Sequence, residues 1–292
     1  MADGEPQDAA PRTSRAGRDL PMAIVVGLGL FGYVVATLTW WPVGFIVLLV
    51  VLTSLGAVEL HHALKRVGMT SVVVPVVIGN IFIIGGSYAA AVFQPVTRMP
   101  WHVVLLGTIG GTVLLALIWR MFGGAEGYAR DSAASVFIIG YVPLLASFVG
   151  LILAQEHGVA KVVAVLLCIT GSDTGGYAAG ATLGRHPMAP RISPKKTWEG
   201  MAGSVVLASV VGILMVVFVM KQPWWFGLLL AVVVVITGTA GDLIESLIKR
   251  DVGIKDMSSF LPGHGGVMDR LDSTLVAAPA AWLLFTLAGV SW

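Results

Sequence analysis

Charged residues are scarce in this sequence. Asp, Glu, Lys and Arg together make up 12% of its 292 residues, whereas about a quarter of a soluble domain is usually charged. Hydrophobic residues make up 57%, and apolar runs of about 20 residues recur almost from end to end. A soluble core cannot bury so many apolar runs. The composition therefore excludes an ordinary soluble domain and predicts an all-α, polytopic integral membrane protein.

Cysteine is nearly absent too. The single Cys168 excludes an internal disulfide and lies inside an apolar run. We interpret it as a small buried hydrophobic residue, because reactive thiols usually lie in partly exposed, electropositive surroundings. The formal net charge of +2 is small, so the composition does not indicate a nucleic-acid partner.

Hydropathy predicts nine membrane spans after a polar N-terminal segment. Residues 1–19 are rich in Pro, Ala, Gly and charge, and we expect them to form a disordered cytoplasmic tail. Residues 20–155 are predicted to form the N-terminal transmembrane helices, and residues 156–292 a C-terminal catalytic transmembrane region with cytoplasmic loops. The nine spans are predicted at 20–39, 42–62, 70–93, 101–121, 132–154, 159–182, 201–220, 224–248 and 271–290.

The distribution of positive charge predicts the orientation. With the amino terminus inside, 15 of the 18 Lys and Arg residues fall on the cytoplasmic side, and only Arg98, Lys161 and Lys221 fall outside. The positive-inside rule thus supports an odd number of spans, with the carboxyl terminus outside. Tryptophans cluster at the predicted outer interface, as in an aromatic belt. These are Trp40, Trp41, Trp101, Trp224, Trp225 and Trp292. We expect an inner (plasma) membrane protein whose long polar loops, about 183–200 and 249–270, face the cytoplasm.

Acidic residues from three predicted helices lie near this inner surface. In a helix, Asp242, Glu245 and Lys249 share one face of span eight. Asp269 and Asp272 likewise share a face where span nine begins, and Asp173 lies near the inner end of span six. Carboxylates converging in this way suggest a site for Mg²⁺, which prefers carboxylate and phosphate oxygens. The structural alternative is a set of helix-end charges paired with Lys249, Arg250 and Arg270.

A glycine-rich loop, Pro262-Gly263-His264-Gly265-Gly266, precedes span nine. Its glycines permit unusual backbone angles and let a ligand approach the main chain. A helix that begins near Val267 would point its free N–H groups at this loop, which favours phosphate binding. His264 could donate to a phosphate oxygen or act as an acid, or it could be an ordinary surface residue.

A second polar loop, Ile192-Ser-Pro-Lys-Lys-Thr-Trp-Glu-Gly200, precedes span seven. Adjacent lysines at a membrane edge often anchor a protein to anionic lipid head groups. Here Ser193 and Thr197 also supply hydroxyl groups beside Lys195 and Lys196, and Glu199 could orient a lysine. Phosphate binding is therefore the more specific alternative.

Together these residues resemble the phosphatidate cytidylyltransferases, also called CDP-diacylglycerol synthases. The resemblance lies in Ser246-Leu-Ile-Lys249-Arg250, Lys255-Asp256, Leu261-Pro-Gly-His-Gly-Gly266 and Asp269-Arg-Leu-Asp272, which keep fixed spacings over about 27 residues. The segments 172–177 and 193–200 resemble other blocks of that family. The similarity covers roughly the C-terminal 120 residues, whereas the first five spans match only in hydropathy.

The resemblance implies that CTP and phosphatidate react to give CDP-diacylglycerol and pyrophosphate. It also implies that Asp242 and Asp269 ligate the metal, with Asp173 as a ligand or organiser, and it leaves room for a second, monovalent cation such as K⁺. The catalytic candidates are Asp173, Asp242, Asp269, Lys196 and His264. The substrate-binding candidates are Ser193, Lys195, Lys196, Thr197, Lys249, Arg250, Lys255, Gly263, Gly265, Gly266 and Arg270. The metal-ligand candidates are Asp173, Asp242, Asp269 and Asp272.

Two other classes of function stay open from the residues alone. An ion-coupled transporter would spread its acids through the membrane depth, whereas these acids gather near one side. Another lipid phosphotransferase or a polyprenol kinase is the second alternative, although the Asp-Gly-x-x-Ala-Arg block of the CDP-alcohol phosphotransferases is not present. The bilayer is an expected partner in every case, and a homodimer is compatible with the sequence.

Overall fold

The computed structural model describes residues 20–258 and 265–288. The predicted tail, Gly263, His264 and Trp292 therefore lie outside the described residues. Within those two ranges the chain forms α-helices, two π-helical segments and one β-hairpin. The helices are α1 (Leu20–Trp40), α2 (Pro42–Lys65), α3 (Val73–Asn80), α4 (Ser87–Thr97), α5 (Trp101–Met121), α6 (Tyr128–Tyr141), α7 (Pro143–Leu153), α8 (Gly158–Leu183), α9 (Trp198–Leu214), α10 (Trp224–Asp251) and α11 (Met268–Leu287). The strands are β1 (Pro187–Ala189) and β2 (Ser193–Thr197), and the π-helical segments are Ile81–Gly86 and Met215–Val219.

Each predicted span coincides with one helix or with consecutive helical segments. Seven helical stretches are long and apolar enough to cross a membrane, counted over the described residues only. These are Pro42–Lys65, Val73–Gln94, Trp101–Met121, Tyr128–Leu153, Gly158–Leu183, Trp198–Val219 and Trp224–Asp251, and Gly27–Trp40 is a shorter apolar helix. The chain is thus an all-α polytopic membrane protein, as its composition predicts.

Three of the predicted spans are not continuous α-helices. Span five breaks at Val142, because Pro143 lacks the N–H group that would continue the hydrogen-bonding pattern of α6. Span three contains the π-helical segment Ile81–Gly86 between α3 and α4, and span seven ends in the segment Met215–Val219. A hydropathy run has no signal for these changes of helix type, because the side chains stay apolar throughout.

Helices α8 and α9 pack with their backbones in contact where Gly175 faces Gly203. A Cβ atom at Gly175 would lie 2.8 Å from the Cβ of Leu207 and 2.9 Å from the carbonyl carbon of Gly203. Small residues permit such close approach between membrane helices. Helix α10 packs on α8, α9 and α11, and α11 packs also on α2 and α7. The C-terminal helices therefore form one packed group that the N-terminal helices contact.

Cys168 and the tryptophans differ in their environments. Cys168 is 0% exposed, with its Sγ atom 3.9 Å from the carbonyl oxygen of Ala208 on α9. The interpretation as a buried hydrophobic residue is thus confirmed. Trp40, Trp41 and Trp224 are exposed, whereas Trp101 packs edge to face against the ring of another tryptophan in α11.

Candidate active site

The β-hairpin between α8 and α9 is fixed at its base by Glu199. One oxygen of this carboxylate accepts from the backbone N–H groups of Arg185 and His186 at 3.1 and 3.2 Å, and the other pairs with the His186 ring at 2.5 Å. Thr197 caps α9 by accepting from the N–H of Gly200 at 3.1 Å. Among the described residues Glu199 pairs with no lysine, so the prediction that it orients one is wrong. It holds the polypeptide that carries the lysines instead.

A cavity of about 330 Å³ lies between this hairpin and helices α8, α9 and α10. Asp173 of α8 and Asp242 of α10 both line it, although they are far apart in the sequence. Strand β2 contributes Ser193, Lys195, Lys196 and Thr197, and the remaining lining residues are Ser172, Gly176, Tyr177, Met188, Gly200, Met201, Ser204 and Thr239. The structure therefore brings six of the predicted site residues to one cavity.

Asp242 connects three elements of this site. One carboxylate oxygen accepts from the ammonium group of Lys196 on β2, and the other accepts from the hydroxyl of Ser273 on α11 at 2.5 Å. Asp173 lies close enough to Asp242, Lys196 and Arg270 for their charges to act on it. Both members of the Lys196–Asp242 pair are mostly buried, with 26% of each side chain exposed. A pair so far removed from water is less screened than one on the surface.

A second group of charges lies where α10 meets α11. The ammonium group of Lys249 donates to Glu245 at 2.5 Å and to Asp269 at 2.9 Å. The second oxygen of Asp269 accepts from the backbone N–H groups of Gly266 at 2.9 Å and Met257 at 3.3 Å. Asp269 thus holds the loop before α11 and does not line the cavity that contains Asp242.

Asp272 lies between the two groups. It is close enough to Asp242 and Glu245 for their charges to act on it, and one of its oxygens accepts from the N–H of Ser273 at 2.7 Å. One oxygen of Glu245 is buried without a hydrogen-bond partner among the described residues, as is the hydroxyl of Tyr141. The acids therefore form one continuous polar region along the α10–α11 contact.

Three N–H groups at the start of α11 already donate to carboxylates of the protein. Gly266 donates to Asp269, while Val267 and Met268 donate to Glu59 of α2 at 2.9 and 2.8 Å. The prediction that these groups face a ligand is wrong, because carboxylates already occupy the positive end of the helix. Gly265 has a φ of +81°, a conformation that glycine adopts readily.

The other predicted cations lie outside the cavity lining. Arg250, Lys255 and Arg270 are exposed, whereas Lys249 is mostly buried between its two carboxylates. Of the predicted cationic residues, only Lys195 and Lys196 line the cavity. The lysines of β2 are therefore the ones placed directly beside the acids Asp173 and Asp242.

The acids that line the cavity suit Mg²⁺ in number and type. Within residues 20–258 and 265–288, no cluster of three or more His, Cys, Asp or Glu side chains is arranged to hold a metal ion. Mg²⁺ usually takes one or two protein carboxylates and completes its shell with waters and substrate phosphates. Asp173 and Asp242 provide two carboxylates at the cavity, which fits this coordination preference of Mg²⁺.

Among the polar residues of this region that were not predicted from the sequence, three lie next to the acids or the start of α11. Ser273 bonds to Asp242, Tyr141 lies close enough to Asp242 and Glu245 for their charges to act on it, and Glu59 holds the start of α11. Glu59 had a usable signal, because an acid inside a bilayer-length apolar run is costly and usually functional. Serine and tyrosine are common in membrane helices, and only the packing reveals these two.

The fold and the cavity define a polytopic membrane protein with a polar site among its C-terminal helices, and comparison with known proteins shows its family. The model of the Cytidylyltransferase family matches residues 21–288. The phosphatidate cytidylyltransferase of Mycobacterium bovis is 40% identical over 98% of this chain and 94% of its own length. That of Pseudomonas aeruginosa is 35% identical over 70% of this chain and 78% of its own, and that of Bacillus subtilis is 28% identical over 84% and 91%. The chain therefore belongs to the cytidylyltransferase family.

Proposed function

We propose that this protein is a phosphatidate cytidylyltransferase of phospholipid biosynthesis, which transfers the cytidylyl group of CTP to phosphatidate. The products are CDP-diacylglycerol and pyrophosphate. The observation that carries the proposal is the cavity in which Lys195 and Lys196 lie beside Asp173 and Asp242. The names of the relatives that are similar over most of this chain support the same reaction.

The chemistry needs positive charge more than it needs a base. The phosphate of phosphatidate is a monoester, whose second pKa near 6 leaves it largely ionised at neutral pH. One of its oxygens attacks the α-phosphorus of CTP, and the bond from that phosphorus to the bridging oxygen of the β-phosphate breaks. Pyrophosphate leaves with that electron pair. The main obstacle is to bring two polyanions together in line.

The residues of the cavity can meet this need. Lys195 and Lys196 can hold phosphate oxygens through charge-assisted hydrogen bonds, and Ser193 and Thr197 add hydroxyl groups from the same strand. Lys196 is paired with Asp242, so its ammonium group is within reach of a phosphate that binds next to that acid. Arg250, Lys255 and Arg270 stay candidates for the outer phosphates.

We propose Mg²⁺ as the cofactor, held by Asp173 and Asp242, with Asp272 next to them and Asp269 in the neighbouring group. When bound, the ion would polarise the α-phosphate and neutralise charge on the departing pyrophosphate. A second, monovalent cation such as K⁺ stays a prediction. Lys196 and Ser273 are the groups that keep Asp242 in place.

The proposed location of the reaction is the cytoplasmic face of the inner membrane. The excess of Lys and Arg at one side of the predicted spans supports an inside amino terminus and nine crossings, with α1 and α11 added to the seven longest apolar stretches. The hairpin with Lys195 and Lys196 then faces the cytoplasm, which supplies CTP. The division into an N-terminal helical part and a catalytic part from residue 156 belongs to this proposal, and a homodimer stays a prediction.

Purified protein with CTP, phosphatidate and Mg²⁺ tests the function. We expect pyrophosphate release that requires all three and that stops when EDTA is added. Release without phosphatidate would indicate a CTP hydrolase, and solute flux in proteoliposomes without CTP consumption would indicate a transporter. Either result would contradict the proposal.

A further inference from the structure

Glu59 is a buried acid near the end of α2 that forms no ion pair with any described residue. It lies in α2, and only 7% of its surface is exposed. The ion pairs among the described residues all join other side chains. A carboxylate in such surroundings is costly unless hydrogen bonds replace the lost water. The groups that supply those hydrogen bonds therefore explain why the acid is there.

Three groups donate hydrogen bonds to Glu59, and all come from the segment that leads into α11. The hydroxyl of Ser258 donates to Oε1 at 2.5 Å, and the N–H of Val267 donates to the same oxygen at 2.9 Å. The N–H of Met268 donates to Oε2 at 2.8 Å. The acid thus joins an N-terminal helix to the start of a C-terminal one, about 200 residues later in the sequence.

Glu59 and Asp269 share the N–H groups at this helix start. Asp269 accepts hydrogen bonds from the N–H of Gly266 and from that of Met257, which lies earlier in the chain. Glu59 accepts from the N–H groups of Val267 and Met268. The two carboxylates approach Gly266 so closely that a Cβ atom there would lie 2.9 Å from an oxygen of each. The position of the first turn of α11 therefore depends on hydrogen bonds to both Glu59 and Asp269.

The first two turns of α11 carry three residues that contact the charged groups of α10. Asp269 binds Lys249 at 2.9 Å, Asp272 lies beside Asp242, and Ser273 donates to Asp242 at 2.5 Å. A small rotation or shift of α11 would move all three contacts together. Even a displacement of about 1 Å can cost a large factor in rate when reacting groups must be aligned.

We propose that Glu59 is a positioning residue for the cytidylyl transfer, acting by holding the first turn of α11 against α10. It does not line the cavity, and it acts through Asp242, Asp269 and Asp272. The proposal rests on the proposed function for its kinetic consequence only. The contact itself can be tested without any turnover.

The test compares Glu59→Gln with wild type and with the control Glu156→Gln, an exposed acid in the turn before α8. The carboxamide keeps the size of the side chain, but one of its two ends is a donor, so it cannot accept from both Val267 and Met268. We expect kcat to fall about 10–100-fold, with KM for CTP changed less than about threefold and the control unchanged. Glu59→Ala should lose more activity than Glu59→Gln.

Amide hydrogen exchange provides the readout that a general loss of stability would not reproduce. In Glu59→Gln we expect faster exchange in peptides that cover residues 265–272, and unchanged exchange in α8 and α9. Uniformly faster exchange in all helices would assign Glu59 to fold stability alone and overturn the proposal. Unchanged kcat, or unchanged exchange at 265–272, would also overturn it.

A second variant and the activity of the wild-type protein separate failure of this proposal from failure of the proposed function. If Glu59→Ala does not accumulate in the membrane, Ser258→Ala replaces it in the test, because this change removes one donor to Oε1. We expect it to lower kcat less than Glu59→Gln does. If neither Ser258→Ala nor Glu59→Gln lowers kcat, the proposal is contradicted. If wild-type protein forms no CDP-diacylglycerol, the proposed function fails. The exchange measurement still decides whether Glu59 positions α11.

Discussion

Asp242 is the residue at which the contacts of the site converge. It pairs with Lys196 of the hairpin through one oxygen and with Ser273 of α11 through the other, and it lines the same cavity as Asp173. A side chain with both oxygens engaged by different elements is held in one orientation. A metal ion or a phosphate that enters the cavity therefore meets a carboxylate already in place.

Replacing Asp242 with asparagine should nearly abolish turnover. The change keeps the shape but removes the negative charge that pairs with Lys196, and we expect kcat to fall at least about 100-fold. The control is Asp251→Asn, an exposed acid at the end of the same helix, which should keep its activity. Measured by CDP-diacylglycerol formation with purified, correctly inserted protein, wild-type activity in Asp242→Asn would remove the metal and phosphate roles of this residue.

Lys196→Ala should weaken the handling of CTP. The loss of one charge-assisted contact to a phosphate predicts a fall in kcat/KM of about 10–100-fold, which is about 1.4–2.7 kcal/mol. Lys65→Ala, an exposed lysine at the end of α2, is the matched control. Steady-state kinetics over a range of CTP concentrations measures the effect. Unchanged KM and kcat in Lys196→Ala would return this lysine to the role of a lipid anchor.

Residue types and spacings predicted side chains that line one cavity, but not how the charges around it are arranged. Asp173, Asp242 and Lys196 could be chosen because charge beside apolar spans is costly. The division into an Asp242 group and a Lys249–Asp269 group could not, since it depends on how α10 and α11 pack. The position of Asp269 next to Gly266, and not in the cavity, follows from hydrogen bonds that spacing alone does not determine.

At the scale of the elements, the close contact between α8 and α9 positions two walls of the cavity. Asp173 lies on α8, and the strand with Lys195 and Lys196 leads directly into α9. A shift of α8 relative to α9 would therefore widen the cavity. Gly175 and Gly203 allow the contact, because neither carries a side chain. Hydropathy predicted both helices, but the side on which they touch depends on the packing of the folded protein.

Gly175→Ala should therefore destabilise the protein. Its new Cβ atom would lie 2.8 Å from Leu207 and 2.9 Å from the Gly203 backbone, an overpacking that typically costs about 1–3 kcal/mol. Gly110→Ala in α5 is the control, because a Cβ atom added there would have no neighbour within 4 Å. Thermal unfolding in detergent should show a lower Tm for Gly175→Ala only. Equal Tm values for the two variants would contradict this close packing.

At the scale of the whole molecule, hydropathy predicted nearly all of the helical architecture. Every predicted span matches helical segments, because bilayer length and apolar composition leave few alternatives to a helix. The breaks at Pro143 and the π-helical segments needed the structure. So did the hydrogen bonds that join the start of α11 to Glu59 of α2.

The proposed orientation can be checked by labelling cysteines from one side of the membrane. Lys221→Cys should react with an impermeant maleimide in intact cells, whereas Arg191→Cys in the hairpin should react only after permeabilisation. Both positions are exposed, and the native Cys168 is buried and should add little background. Labelling of Arg191→Cys in intact cells would place the hairpin, and hence the cavity, outside.

The fate of each phosphate of CTP tests the central proposal most directly. Proteoliposomes with phosphatidate and Mg²⁺ receive CTP labelled at either the α- or the γ-phosphate, and the lipid and aqueous phases are counted separately. Cytidylyl transfer predicts that the α-label enters the lipid while the γ-label is released as pyrophosphate. A γ-label in the lipid would identify a kinase, and the absence of any label in the lipid would contradict transfer altogether.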